Sequence, residues 1–334
     1  MIGPALYLAA TVCLAPPIGA TVANDPAAAE EYRSAAAAYE AGAREKAGKQ
    51  LEEFRRAHPD HPLAWQAGLL WARCTTEPAE AEKRFRAVAE RAPEDTKAEC
   101  ELELAHLAVV QEHYAPAEEA YTAWLAAHGH DERAEAASFW QAQCQRELGR
   151  KDEALVAWKR LRDKGRQPVW RAQAGLAASS LLLEQGKAAE ARREALGLVE
   201  ASWARDVRPQ ARLVAAKADL ALKRTGEART LLAELAKENP DLPEAEEART
   251  LLGAKTPAGP RFGVQVAAFS RKAAAAAERE KYVKAGRAAT LLTRPSGSLM
   301  LYGVVLGPYA SHAEAEQARE QLRQKGTEAF IITY

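Results

Sequence analysis

Phe262-Gly-Val-Gln-Val-Ala-Ala-Phe269 and Leu301-Tyr-Gly-Val-Val-Leu-Gly-Pro-Tyr309 are the stretches on which the reading of this 334-residue chain turns. In the first, Val264 and Val266 alternate with Gly263, Gln265 and Ala267, the period of a strand that buries one face. Ser270 stands where a cap is needed before an Ala-rich helical run from Arg271 to Ala285, and Gly286 stops that run. A strand from Ala288 to Arg294, a Pro295-Ser-Gly-Ser298 turn and a strand from Leu299 to Leu306 follow. Gly307-Pro308 ends that strand. Ser311, with Glu314 three residues on, forms a capping box for a second helix that closes at Lys325-Gly326. A last strand runs from Glu328 to Thr333. The order βαββαβ predicts a small α+β domain over 261–334. It is expected to be a four-stranded antiparallel sheet with both helices on one face and the other face open.

Upstream, residues 27–254 read as helix throughout, with apolar residues at three- and four-residue steps. Ala47, Ala81, Ala117, Ala154, Ala191 and Ala228 recur at spacings of 34, 36, 37, 37 and 37. Four residues after each stands Leu51, Phe85, Tyr121, Trp158, Ala195 or Leu232. The small residue lets paired helices approach, and the residue one turn later fills the groove beside it. Glycine precedes the marker by five residues at Gly42, Gly149 and Gly186, permitting a tight turn. Pro59, Pro93 and Pro240 stop the second helix of their pairs. The second, third and sixth units lack the turn glycine, so different turns are expected there. A helix from Pro243 to Leu252 is placed to cap the stack. Residues 255–260, within a run holding two prolines and two glycines, form a short linker.

Met1 to Ala23 carries no charge and ends in small residues, the pattern of a leader cleaved after Ala20 or Ala23. The expected location is therefore the periplasm or cell envelope. An uncleaved anchor is the rival, but Pro4, Pro16 and Pro17 interrupt an already short stretch. Cys74, Cys100 and Cys144 lie in apolar helical stripes without metal or CxxC spacing and read as buried free thiols.

Charge is balanced overall, 46 basic against 46 acidic residues, but unevenly spread. From Pro260 onward there are 11 against 6, leaving 35 against 40 upstream. A mildly basic tail suits a carboxylate-bearing partner, and neither part is basic enough for nucleic acid. His58, His61, His106, His113, His128, His130 and His312 form no ligand or acid–base set and read as turn or surface residues. No phosphate loop, nucleophile–base pair or small-molecule cofactor motif is present, so an enzyme is not expected. Trp124 and Trp158 read as packing residues, whereas Trp203, at an inter-repeat turn, reads as the exposed tryptophan.

The helical part resembles tetratricopeptide repeats, six of them, an all-α solenoid whose concave surface implies a protein partner. The C-terminal domain resembles a SPOR domain. The resemblance rests on Val264-Gln265-Val266, Phe269-Ser270, the run Val304 to Ser311, and the Ala-Glu-Ala-Glu-Gln-Ala of the second helix. It implies that the open sheet face binds peptidoglycan glycan strands stripped of stem peptides, which occur transiently at division septa. Gln265 matches the strand-one glutamine, whose amide both donates to and accepts from sugar hydroxyls. Ala268 falls where a serine occurs, Leu301 where many members carry an aromatic, Gly303 where an arginine is common, and Ile331 at an apolar contact. Tyr302 is one residue off the aromatic position, and pleat alternation turns it toward the helices. Arg261, Arg287 and Arg294 stand at the sheet edges to supply the missing charge. The expectation is a non-enzymatic envelope adaptor tied to cell division. A general protein scaffold, or an activator of peptidoglycan-remodelling enzymes, remains as an alternative.

Overall fold

The structure is a computed structural model. It describes residues 25–40, 43–75, 77–240, 242–253, 262–296, 299–324, 327 and 329–333. The leader over 1–23, the linker over 255–260, the turn residue Gly42, Arg261 and the Lys325-Gly326 stop lie outside the described residues.

Six helix pairs follow one another. They are α1 (Pro26–Glu40) with α2 (Arg44–Ala57), α3 (Ala64–Ala72) with α4 (Pro78–Ala89), and α5 (Glu94–Val110) with α6 (Tyr114–His128). Next come α7 (Ala134–Glu147) with α8 (Lys151–Lys164), and α9 (Pro168–Glu184) with α10 (Ala188–Glu200). A 3-10 turn, Ser202–Val207, leads into α11 (Arg208–Ala221) with α12 (Thr225–Glu238), and α13 (Pro243–Leu251) closes the stack. The six marker alanines lie near the start of each second helix and are at most 1% exposed. Leu51, Phe85, Tyr121, Trp158, Ala195 and Leu232, one turn later, are at most 2% exposed. The 34- to 37-residue rhythm is thus the rhythm of the core.

The turns are more uniform than the glycine pattern predicts. Gly149 and Gly186 take positive φ, 82° and 74°. Glu112 and Lys223, at the same place in the third and sixth units, take it as well, at 61° and 62°. The backbone bonds match too: the amides of His113, Arg150, Lys187 and Arg224 bond the carbonyls of Ala108, Gln145, Leu182 and Asp219 at 2.8–2.9 Å. Packing of the flanking helices holds the left-handed turn even where no glycine relieves it.

Polar groups knit neighbouring units together. Buried Arg73 donates from Nε to Glu103 Oε1 at 3.0 Å and from Nη2 to Glu99 Oε1 at 2.8 Å. Trp124 and Trp158 pack as expected, their indole N–H groups donating to the Ala98 and Phe139 carbonyls. Trp203 is half-buried instead, covered by the Arg171 guanidinium 4.3 Å from its ring. The three described cysteines are buried and free, and burial pushes each thiol up to about 12. His106 is no surface residue: it is buried with its ring 4.8 Å from Trp140.

The C-terminal domain has the predicted order: β1 (Phe262–Phe269), α14 (Lys272–Lys284), β2 (Ala289–Ser296), β3 (Leu299–Tyr309), α15 (His312–Arg323) and β4 (Phe330–Thr333). The sheet order is β2-β3-β1-β4, with every pair antiparallel. The capping box forms: Glu314 N–H donates to Ser311 Oγ at 3.2 Å, and Ala310 N–H to Glu314 Oε2 at 3.1 Å. Three local expectations change. Ser270 is not the cap of α14; Arg271 stays extended, and its carbonyl accepts from the amides of Ala274 and Ala275. Pro295 and Ser296 belong to β2, paired with Met300 and Leu299. Gly307-Pro308 does not end β3 but makes an irregularity within it, after which Tyr309 pairs with Phe262. Gly307 is at φ +123°, and a β-carbon there would stand 3.1 Å from the Phe262 carbonyl oxygen.

Candidate functional site

A β-bulge decides which side chains share the sheet face away from α14 and α15. Gln265 pairs with Val305, and the register then slips so that Ala267 pairs with Val304 and Ala268 with Gly303. Without the slip, Gln265 and Ala268 would point to opposite faces, because their separation is odd. With it, both join Leu301, Gly303 and Val305. From β2 come Thr290, Leu292 and Arg294, cross-strand partners of Val305, Gly303 and Leu301. Four of the five predicted site residues, Gln265, Ala268, Leu301 and Gly303, are thereby brought together.

The fifth is not. Ile331 pairs with Val264 and packs against the cluster beneath the helices, with Val304 and Leu306. Its neighbour Ile332 pairs with Gly263 and lies on the other face with Leu292 and Val305. Sequence reading placed the apolar contact one residue too early, because a four-residue strand carries no alternation long enough to fix its parity. It also missed Val305, whose place beside Gln265 follows from cross-strand register that only pairing reveals. Tyr302 turns to the helix side as expected, in the cluster with Val304.

Gly303 has a specific consequence. A β-carbon there would stand 3.0 Å from Gln265 Oε1 and 3.4 Å from its Cδ. The Gln265 carboxamide therefore occupies the space that a side chain at 303 would take. Of the arginines expected to compensate, Arg294 stands on this face. Arg287 lines a separate cavity of about 460 Å³ with Gly307, Pro308, Tyr309 and Glu314, at the start of α15.

The face is not open. Val305 is 0%, Leu301 3% and Gln265 7% exposed. Leu242, the residue before α13, packs on the apolar cluster of Leu292, Val305 and Ile332. Glu244, two residues on, accepts from Gln210 Nε2 at 2.8 Å, and its other oxygen is buried without a hydrogen-bond partner among the described residues. Burial chiefly raises the Glu244 carboxyl above its usual range, and Arg294 of β2 draws it the other way. A second contact comes from Asp206 in the 3-10 turn, which pairs with Lys272 at the start of α14; burial chiefly, and the nearby Asp206 charge with it, raises the Tyr302 hydroxyl above its usual range. Besides the short linker, the array thus lies against the domain. Sequence could not foresee this, because Leu242 reads as an ordinary residue of a capping helix.

The array has its own concavity. A groove of about 850 Å³ between α6, α7 and α8 is lined by Gln141 and Gln145 of α7 and by Val156, Arg160 and Lys164 of α8. Val156 is 68% exposed there, which is unusual for a β-branched apolar side chain. Among the described residues no group of His, Cys, Asp or Glu is placed to hold a metal, and no helix is long and apolar enough to cross a membrane.

Residues 258–333 match the SPOR domain family, and residues 136–164 match the tetratricopeptide repeat. No curated protein matches the chain. Among solved structures, the chain is similar to PilW, described as a widely conserved type IV pilus biogenesis factor. Identity is 17% over 68% of this chain and 99% of that one, with a TM-score of 0.53. It is also similar to pilF of Pseudomonas aeruginosa, at 13% identity over 67% of this chain and 97% of that one, with a TM-score of 0.50. At such identities the likeness establishes the helical-repeat fold of the array. A SPOR domain implies peptidoglycan binding and association with the cell envelope, tetratricopeptide repeats imply protein interaction, and both are binding modules rather than catalytic ones. The chain is a tetratricopeptide-like helical solenoid carrying a C-terminal SPOR domain.

Proposed function

We propose that this protein is a non-enzymatic adaptor of the cell envelope. Its SPOR domain binds glycan strands stripped of stem peptides at division septa, and its repeat array holds a protein partner of the division or wall-remodelling machinery. The observation that carries the glycan reading is the placement of Gln265. Its carboxamide lies across Gly303, flanked by Ala268 and Leu301, on the side of the sheet away from the helices. A carboxamide offers a donor and an acceptor together, which is what vicinal sugar hydroxyls require. Arg294 adds a cation on the same face for a charge-assisted hydrogen bond. The aromatic expected on β3 is absent, but Phe330 of β4, the cross-strand partner of Gln265 and 37% exposed, supplies a ring on this face against which a sugar can stack. The groove between α6, α7 and α8, with exposed Val156 beside Arg160 and Lys164, supports the partner reading: it suits a segment carrying both apolar and acidic side chains.

The test is co-sedimentation of the SPOR domain, 260–334, with intact and amidase-treated sacculi. Retention on the treated sacculi alone is expected, with Gln265→Ala lowering it several-fold. Equal retention on both would sink the denuded-strand reading. Absence from both would favour the scaffold reading, which the apolar cluster of Leu292, Val305 and Ile332 supports by offering a surface for protein rather than sugar.

A further inference from the structure

We infer that the SPOR sheet face is held shut by the C-terminal end of the chain's own repeat array, so that a ligand reaches it only from an undocked state. The identity of that ligand rests on the glycan reading above; the closure does not.

Contacts between array and domain engage the sheet from opposite sides. Asp206 reaches Tyr302, which faces the helices, and pairs with Lys272 at the start of α14. Leu242 lies on the other face, over Leu292, Val305 and Ile332. These three are neighbours of the candidate glycan residues: Val305 is the cross-strand partner of Gln265, and Leu292 that of Gly303. A glycan strand laid along Gln265 and Gly303 would need the space that Leu242 occupies. Glycan and array therefore compete for one surface, and the two states exclude each other.

The closure is lightly held on the glycan face. On the glycan face its apolar part is Leu242 alone among the described residues, while on the helix side the apolar cores of array and domain run together in one cluster that includes Ala218 and Tyr302. Its polar part is the Asp206–Lys272 pair, and beside Leu242 one oxygen of the Glu244 carboxyl is buried without a hydrogen-bond partner among the described residues, which weighs against the docked state. The apparent affinity of a ligand for such a protein falls in proportion to the fraction of molecules that are undocked. By linkage, any partner that binds the array end better when it is free of the domain raises glycan affinity by the same factor.

The test uses the chain from residue 24 onward and two variants on the array, Leu242→Asp and Asp206→Lys, which leave every sheet residue in place. Two quantities are measured for each: the radius of gyration by small-angle scattering, and retention on amidase-treated sacculi. Each variant is expected to expand relative to wild type and to be retained at least about fivefold more strongly, as the undocked fraction rises. Unchanged dimensions in both variants would overturn the closure. Expansion with retention equal to that of a wild type that itself binds would overturn the competition. Expansion with no retention of any form would leave the closure standing on the scattering and remove the glycan reading alone.

Discussion

At the scale of single residues, the side chains that matter divide into those that announce themselves and those that do not. Gln265 is legible because a strand of alternating valines fixes the side on which a glutamine at that position stands. Ile331 is not, because β4 is four residues long and its parity comes only from the pairing with Val264. His106 is a third kind: its polarity suggests a surface, yet the apolar residues around it in α5 carry it inside, edge-on to Trp140. Burial lowers it from its usual 6.5 to about 4. A histidine held neutral in the fold but free to charge in the unfolded chain contributes stability above pH 6.5 that is lost as pH falls toward 4. Chemical denaturation at pH 7 and pH 4.5 should show a loss of about 2–3 kcal/mol from this residue. The variant His106→Leu should lose less than wild type over the same interval by that amount. Parallel losses in the two proteins would mean that His106 is already charged, or already solvated, in the fold.

At the scale of elements, the repeat is legible because each turn of the solenoid solves one packing problem with one small residue. The six alanines and their partners one turn later needed no structure to find, and burial places all of them in the core. What the sequence misdirects is the turn between paired helices. Glu112 and Lys223 look like departures from the glycine rule, but they adopt the glycine geometry. A side chain in the left-handed region carries a cost of about 1–2 kcal/mol, which the surrounding helices offset. Glu112→Gly and Lys223→Gly are therefore expected to raise stability by about 0.5–1 kcal/mol each, glycine's extra freedom in the unfolded chain taking back part of the relief. Urea titration of the two variants measures this, and a loss of stability in either would mean that its side chain contributes more than the strain it carries. The irregularity at Gly307-Pro308 is the counterpart in the sheet. A glycine–proline pair reads as an end, yet Tyr309 resumes pairing beyond it, because the partner strand begins at Phe262 and offers the ladder positions.

At the scale of the whole molecule, the two domains and their order follow from periodicity alone, 3.6 in one part and 2 in the other. Their contact does not follow, since it depends on Leu242, Glu244 and Asp206, residues that serve as well on a solvent-facing turn. Only eight residues, 254–261, separate the end of the described array from β1. A tether that short confines the two surfaces to an effective concentration on the order of millimolar. At that concentration a contact too weak to join two separate molecules is enough to keep a chain folded onto itself. The array and the SPOR domain, produced as separate chains and mixed at micromolar concentration, should therefore fail to associate in sedimentation velocity. A stable complex between them would mean that the interface holds by its own strength. If they stay apart, the covalent link is itself the regulatory element: cutting or lengthening the chain between Gly253 and Phe262 would free the sheet face as surely as any substitution within it.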